Sequence, residues 1–261
     1  MNNGAPRRQL RQPRLAELVA NDLRHRISSG ALRDGDMIPK LDELEVQFRV
    51  SKPSLREALR ILETEGLITV RRGNMGGAVV HAPGHYDAAY MIGLVLQSRN
   101  VRPDDLAEAI QLVEPICAAI CAERPDRAEN IVPRLKEIHQ RTIEAISNDI
   151  DFQTTAREFH ETLVALCGNE TMRLVVGSLE ALWSARERDW ARHATTARTY
   201  PDPQTRQDGI RAHERLIEHI ERGDAPGASR VARRHLQQSQ LYAVADGDET
   251  IRAASVRGAR V

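Results

Sequence analysis

Two sets of residues have the type and spacing to do chemistry. In VSKPSLREALRILETEGLI, Lys52, Arg56 and Arg60 recur every four residues, while Leu55, Ala58, Leu59 and Leu62 fall at i, i+3, i+4 and i+7. The second pattern is the apolar stripe of an amphipathic helix, which leaves the cations on a face that packing does not use. Such a face is either solvated or aimed at an anion, nucleic acid being the obvious one. The second set is His160, His213 and His235, each among apolar neighbours. His213 lies ten residues before the Gly223-Asp224 turn and His235 eleven after it, so at ~1.5 Å per residue they stand level on one hairpin. Joined by His160, they form either a nitrogen-ligand metal site, with Zn²⁺ as the default ion, or three separately hydrogen-bonded histidines.

The basic helix has clear ends. Ser51 stands at the N-cap, Pro53 is tolerated in the first turn, and Gly66 stops the helix. Leu67 to Val70 then alternates as a strand, 71–77 is turn chemistry, and Ala78 to His81 returns as a second strand. Upstream, Leu41, Leu44 and Phe48 mark a short helix after Pro39. Before it, Leu15, Leu18, Val19, Leu23 and Ile27 mark another, closed at Ser28-Ser29-Gly30. Three helices and a basic-tipped hairpin make a winged helix-turn-helix, in which the last helix enters the major groove.

From 87 onward helices are expected almost throughout, over 87–98, 103–123, 128–148, 151–167, 170–195, 205–222 and 225–243. They are broken at Arg102-Pro103-Asp104, Gly168-Asn169 and Tyr200-Pro201-Asp202-Pro203. The fold class is therefore mainly α, a winged helix-turn-helix followed by an all-α antiparallel bundle. The domain reading is a flexible tail over 1–14, the DNA-binding domain over 15–82, a linker over 83–86, the helical domain over 87–244, and a mobile tail over 245–261.

The 261 residues carry 37 basic and 37 acidic side chains, so there is no global field for nucleic acid. Through position 82 the basic residues number 14 against 10, and the remainder reverses the bias at 23 against 27. The surplus lies where the groove reader is. No apolar run has the length of a membrane span, and the polar start lacks a signal-peptide core, which predicts a cytoplasmic protein with no membrane partner. Cys117, Cys121 and Cys167 have no zinc-finger spacing and read as buried packing thiols.

Residues 15 to 81 resemble the winged-helix domain of the GntR family of bacterial transcription regulators. The phrases that carry this are VANDLRHRISSGALRDGDMIP, VSKPSLREALRILETEGLI and RRGNMGGAVV. The resemblance implies DNA contacts from Ser51, Lys52, Ser54 and Arg56, with Arg72 and Gly73 at the wing. The family commonly has Arg three residues after Pro39, where this chain has Asp42. An acid there would be repelled by phosphates unless Lys40 compensates.

FHETLVALCGN and AHERLIEHIERGDAPGASRVARRHL resemble segments of the FCD ligand-binding domain of the FadR-type branch. Many members hold a divalent metal there with Asp and three His, and the His positions correspond to His160, His213 and His235. The aspartate position is Ala156. The same resemblance puts an effector pocket at Ile110, Glu114, Ala156 and Asn169. Ile110 stands where an effector-binding Arg is common, which suggests a less acidic effector. The implied function is a ligand-responsive regulator, most simply a repressor, that binds an inverted-repeat operator as a homodimer and changes DNA affinity when a small molecule enters the helical domain. It is not expected to be an enzyme. The competing readings are a metal-dependent enzyme using Glu158 or Glu161 as base, and a scaffold with a non-functional head.

Overall fold

The computed structural model describes residues 14–71, 77–244 and 250–257. The chain divides into two compact units, Met1–Pro83 and Gly84–Val261.

The first unit contains α1 (Leu15–Ser28), β1 (Met37–Ile38), α2 (Leu41–Phe48), α3 (Lys52–Thr64), β2 (Ile68–Arg71) and β3 (Gly77–Val80). α1 begins where the Arg14 N–H donates to Glu17 Oε2 at 3.0 Å. Its stripe of Val19, Ala20, Leu23 and Ile27 is buried, as is the Leu55, Ala58 and Leu62 stripe of α3. Full burial of a leucine contributes roughly 1.5–3 kcal/mol, so Leu23, Leu44, Leu55 and Leu62 anchor this core. Arg49 adopts a left-handed φ of 53° between α2 and α3, which makes the turn compact. Gly66, at φ 77°, ends α3 in a conformation that costs a residue with a Cβ more.

The two strands expected from alternation are present one residue out of phase with their predicted limits. A third strand, β1, pairs Met37 with Val79 and Ile38 with Ala78, giving the sheet order β1-β3-β2, antiparallel throughout. Two residues carry too little periodicity to announce a strand.

The second unit is helical among its described residues: α4 (His85–Ser98), α5 (Pro103–Glu123), α6 (Val132–Glu144), α7 (Asp149–Ala165), α8 (Glu170–Ala197), α9 (Pro203–Arg222), α10 (Ala225–Ser239), α11 (Leu241–Val244) and α12 (Ala254–Arg257). α6 is entered through a π-helical turn at Arg127–Ile131, where Pro133 has no N–H to continue the ladder. Side-chain caps fix the starts that place the site: Asn148 for α7, Asn169 for α8, Asp202 for α9 and Asp224 for α10. Gly223, at φ 73°, turns α9 back into α10.

Two apolar cores fill this unit. One joins α5, α6, α7, α9 and α10 around Phe159, Leu135 and Leu216, and it includes all three cysteines, which are free and buried. The other joins α4, α5 and α8 around Trp183. Ile251, Ala253 and Val256 are buried, and the Ile251 N–H donates to Val101 O at 3.1 Å. The segment 250–257, expected within a mobile tail, is therefore packed. Its three apolar residues are spaced too irregularly for a helix-length pattern to reveal them.

Candidate functional site: a histidine cluster and a reading helix

α7, α9 and α10 bring His160, His213 and His235 together. Their Nε2 atoms lie 3.2 Å (160 to 235), 3.3 Å (160 to 213) and 3.1 Å (213 to 235) apart. All three are buried, and Phe159 stacks on His213 with ring centroids 3.9 Å apart. They are thus a cluster and not three separately bonded histidines. Burial lowers the pKa of each, His160 to about 3 and the other two well below the usual value, so the rings are neutral near pH 7.

Neutral imidazoles in this triangle are incompletely satisfied. Each Nε2 is either an N–H donor or a lone-pair acceptor, and three mutual contacts cannot alternate around an odd ring. At least one contact must set donor against donor or lone pair against lone pair. A cation that accepts three lone pairs removes this conflict. Zn–N bonds of about 2.0–2.1 Å put tetrahedral ligand atoms about 3.3 Å apart, close to the spacing observed. The residues present fit a divalent ion, and these three are the group of potential ligands that the described residues bring together.

Outside the triangle, His160 Nδ1 lies 2.7 Å from Glu114 Oε1. A carboxylate behind a ligating imidazole fixes the ring and leaves the Nε2 lone pair facing the ion. Glu114 is itself held in a buried polar set on α7 and α8. Arg157 pairs with Glu180 and approaches Glu187 at 3.4 Å, and its Nε donates to Ser184 Oγ at 3.3 Å. Burial raises Glu180 well above the usual carboxylate range, and it raises Glu114 and Glu187 as well, each opposed by Arg157.

The histidines line one wall of a cavity of about 640 Å³. Ala156 is on that wall, so the position where the FCD pattern has a carboxylate ligand opens directly onto the cavity. Aromatic side chains, Phe152, Trp190, Tyr200 and Tyr242, share the lining with Arg157, Arg206, Arg215 and Arg234. Arg206 is committed: it donates to Ile146 O and Pro201 O, pairs with Asp149, and lies over the Tyr200 ring at 4.7 Å. Arg215 and Arg234 are exposed and make no ion pair among the described residues.

Several expected pocket residues lie elsewhere. Ile110 is fully buried in the Trp183 core, Glu114 stands behind His160, and Asn169 caps α8 by accepting from the Met172 N–H at 3.0 Å. Of the expected four, Ala156 lines the cavity. The inference of a less acidic effector from Ile110 therefore loses its basis, because that side chain does not face the cavity. Neither proposed catalytic base serves the site: Glu158 pairs with Arg141 at 2.7 Å, and Glu161 accepts from Ser184 Oγ at 2.6 Å.

Arg157, Glu180 and Glu187 escaped the sequence reading, although a signal was present. Gln153, Arg157 and His160 fall at i, i+4 and i+7, as do Glu180, Ser184 and Glu187, and both stripes lie on faces that periodicity assigns to the interior.

On the first unit, Ser51, Ser54 and Arg56 occupy the N-terminal turns of α3, with the two hydroxyls 3.3 Å apart. Arg56 is exposed and in no ion pair among the described residues. Lys52 is paired: Asp42 Oδ1 lies 2.6 Å and Glu45 Oε2 3.7 Å from its Nζ. The ammonium bonded to Asp42 is that of Lys52, while Lys40, exposed at the N-cap of α2, adds a smaller electrostatic share. Arg72 and Gly73 lie outside the described residues.

A winged helix-turn-helix joined in one chain to a helical unit with a histidine-walled cavity defines a DNA-binding transcription regulator. Residues 15–80 match the model for bacterial regulatory proteins of the gntR family, and residues 105–238 match the FCD domain. The chain belongs to the GntR family, in the FadR-like branch that carries a C-terminal FCD domain. It is similar to the Exu regulon transcriptional regulator of Escherichia coli K12, with 25% identity covering 87% of this chain and 84% of that one. Similarity to the HTH-type regulator YcbG of Bacillus subtilis is 30% identity, over 79% and 87%. A solved Streptococcus agalactiae GntR structure shares the fold, with a TM-score of 0.64 at 22% identity, covering 85% of this chain and 97% of that one. The family is one of regulators and not of enzymes. No described helix is long and apolar enough to cross a membrane.

Proposed function

We propose that the chain is a homodimeric, cytoplasmic repressor that reads an inverted repeat, releasing it when a small anionic effector enters the FCD cavity. The observation that carries the effector reading is the convergence of three neutral imidazole nitrogens on the cavity wall beside Ala156. His160, His213 and His235 would hold a divalent ion, Zn²⁺ being the simplest candidate, with Glu114 orienting His160. That ion supplies a Lewis-acid point for an oxygen donor, and the small Ala156 side chain leaves room for the donor to come from water or effector. Arg215 and Arg234, which also line the cavity, would supply positive charge for an anionic group. Two-fold protein symmetry requires a two-fold operator, and ligand control requires that the effector bind the DNA-competent and DNA-incompetent arrangements with unequal affinity.

Footprinting on the DNA upstream of the gene, with and without small organic anions, tests the reading. Protection of an inverted repeat that is lost on adding an anion, but retained when the same anion is added to His213→Ala, supports it. Protection of a single half-site by a monomer, or release that persists in His213→Ala, would reject the dimeric or the cavity part respectively.

A further inference from the structure

The notch between α2 and α3 contains an arrangement that the regulator reading does not use. Asp42 stands in the first turn of α2 and Lys52 opens α3, and their charged groups meet at 2.6 Å, with Glu45 behind at 3.7 Å. The ammonium hydrogen bond draws the Asp42 carboxyl below its usual range and Asp42 raises Lys52, so both partners stay charged around neutrality. One turn along α3, Arg56 faces solvent without an ionic partner among the described residues.

In a helix-turn-helix the first helix crosses the DNA backbone, while the N-terminal residues of the second reach base edges. A carboxylate on the first helix then faces phosphates, and it is tolerated where a cation travels with it. Within a Debye length the phosphates attract Lys52 about as strongly as they repel Asp42. If Lys52 left to contact a phosphate, a bare Asp42 with Glu45 beside it would remain in the same field. We propose that Asp42 determines the charge that this reader presents to DNA: it holds Lys52 as a neutral unit, and Arg56 is the cation that the start of α3 contributes to the operator. The assignment of Lys52 as a direct DNA contact, taken from the family pattern, is thereby replaced for this chain.

The test is a salt series of binding to a duplex selected from a random-sequence library by the parent protein, with Asp42→Ala, Lys52→Ala, the double variant and Arg56→Ala beside it. Asp42→Ala should free Lys52 for a phosphate. It should tighten binding and steepen the log–log salt slope by about 0.9 per protomer, close to an eight-fold added change in affinity per decade of salt. Lys52→Ala leaves the acid bare and should weaken binding, while the double variant should return to the parent's affinity and slope. That rescue is not expected of a lysine that contacts DNA by itself. An unchanged slope for Asp42→Ala, together with equal losses in Lys52→Ala and the double variant, would overturn the inference. The inference rests on α3 as the operator-facing helix, and Arg56→Ala separates the two claims. Undiminished affinity there removes α3 from the operator and this inference with it, whereas lost affinity beside an indifferent Asp42→Ala overturns the pairing alone.

Discussion

The chain builds ionic groupings from the same residue types in two settings. In the bundle, Arg157 and Glu180 are 5% and 0% exposed, and the two carboxylates that pair with Arg157, those of Glu180 and Glu187, are buried. In the head, the Lys52 and Asp42 side chains are 43% and 80% exposed, and Arg56 faces water. A pair of unit charges 4 Å apart interacts by about 1 kcal/mol in bulk water and about 4 kcal/mol at an effective dielectric constant of 20. The buried group is therefore rigid and intolerant of a missing member. The exposed one contributes little to folding, and its charge remains available to a partner that excludes water on arrival. Burial, more than residue type, divides the molecule into a part that holds a site and a part that reads one.

The sharpest way to break that contrast is to remove Arg157. Arg157→Ala leaves Glu180 and Glu187 without their cation in a buried setting, and stability should fall by about 3–5 kcal/mol in urea denaturation. A loss comparable with that of a surface change would mean that water reaches the cluster and that the two settings do not differ in kind.

Acid provides a graded version of the same test. The histidines have pKa values lowered on folding, so below the unfolded value of about 6.5 the unfolded chain binds more protons than the native one. Chelator-treated protein should lose stability steadily as pH falls from there towards about 3, the value for His160. Glu114, Glu180 and Glu187 have pKa values raised on folding and act in the opposite sense, since their contribution fades as pH rises through their raised values. Melting temperatures across pH should show an acid limb that flattens in His213→Asn. An acid limb unchanged by that substitution would place the titrating groups elsewhere.

The helices of the head were legible because α1 and α3 each bury a helical stripe, and because Ser51, Pro53 and Gly66 mark ends by local rules. Leu15 and Leu18 of the expected α1 pattern are nonetheless exposed, and α2 buries Leu44. The level placement of His213 and His235 followed from counting along a hairpin, and the structure sets their nitrogens 3.1 Å apart. Other features depend on contacts that spacing does not encode. Asn169 stands directly before the helix expected from 170, where an N-cap belongs, so its capping role was legible, whereas nothing near Ile110 says whether its side chain turns to a core or a cavity. The packing of 250–257 depends on a groove made by residues far away in the chain. The Asp42–Lys52 pair is not legible from spacing, because the ammonium bonded to Asp42 comes from a long lysine across the turn and not from its sequence neighbour Lys40.

A smaller effect should come from the residue that links the buried polar set to the histidines. Glu114→Gln keeps the shape but weakens the orientation of His160, and divalent-ion affinity should fall 10- to 100-fold in chelator competition. Unchanged affinity would detach Glu114 from the ion. If the parent protein takes up no divalent ion at all, the triangle is a packing cluster.

On the exposed side, Arg56→Ala should leave the melting temperature unchanged, because its guanidinium has no ionic partner among the described residues. If Arg56 reads a base, specific binding should weaken by ~1–3 kcal/mol and discrimination at one operator position should relax. A phosphate contact predicts a different signature, a uniform loss across sequences and a shallower salt slope. These two outcomes share the first number and differ in the second, so the salt series decides between them. A change in stability accompanying either would mean that this side chain packs more closely than its exposure indicates, and the head would then resemble the bundle in coupling charge to fold.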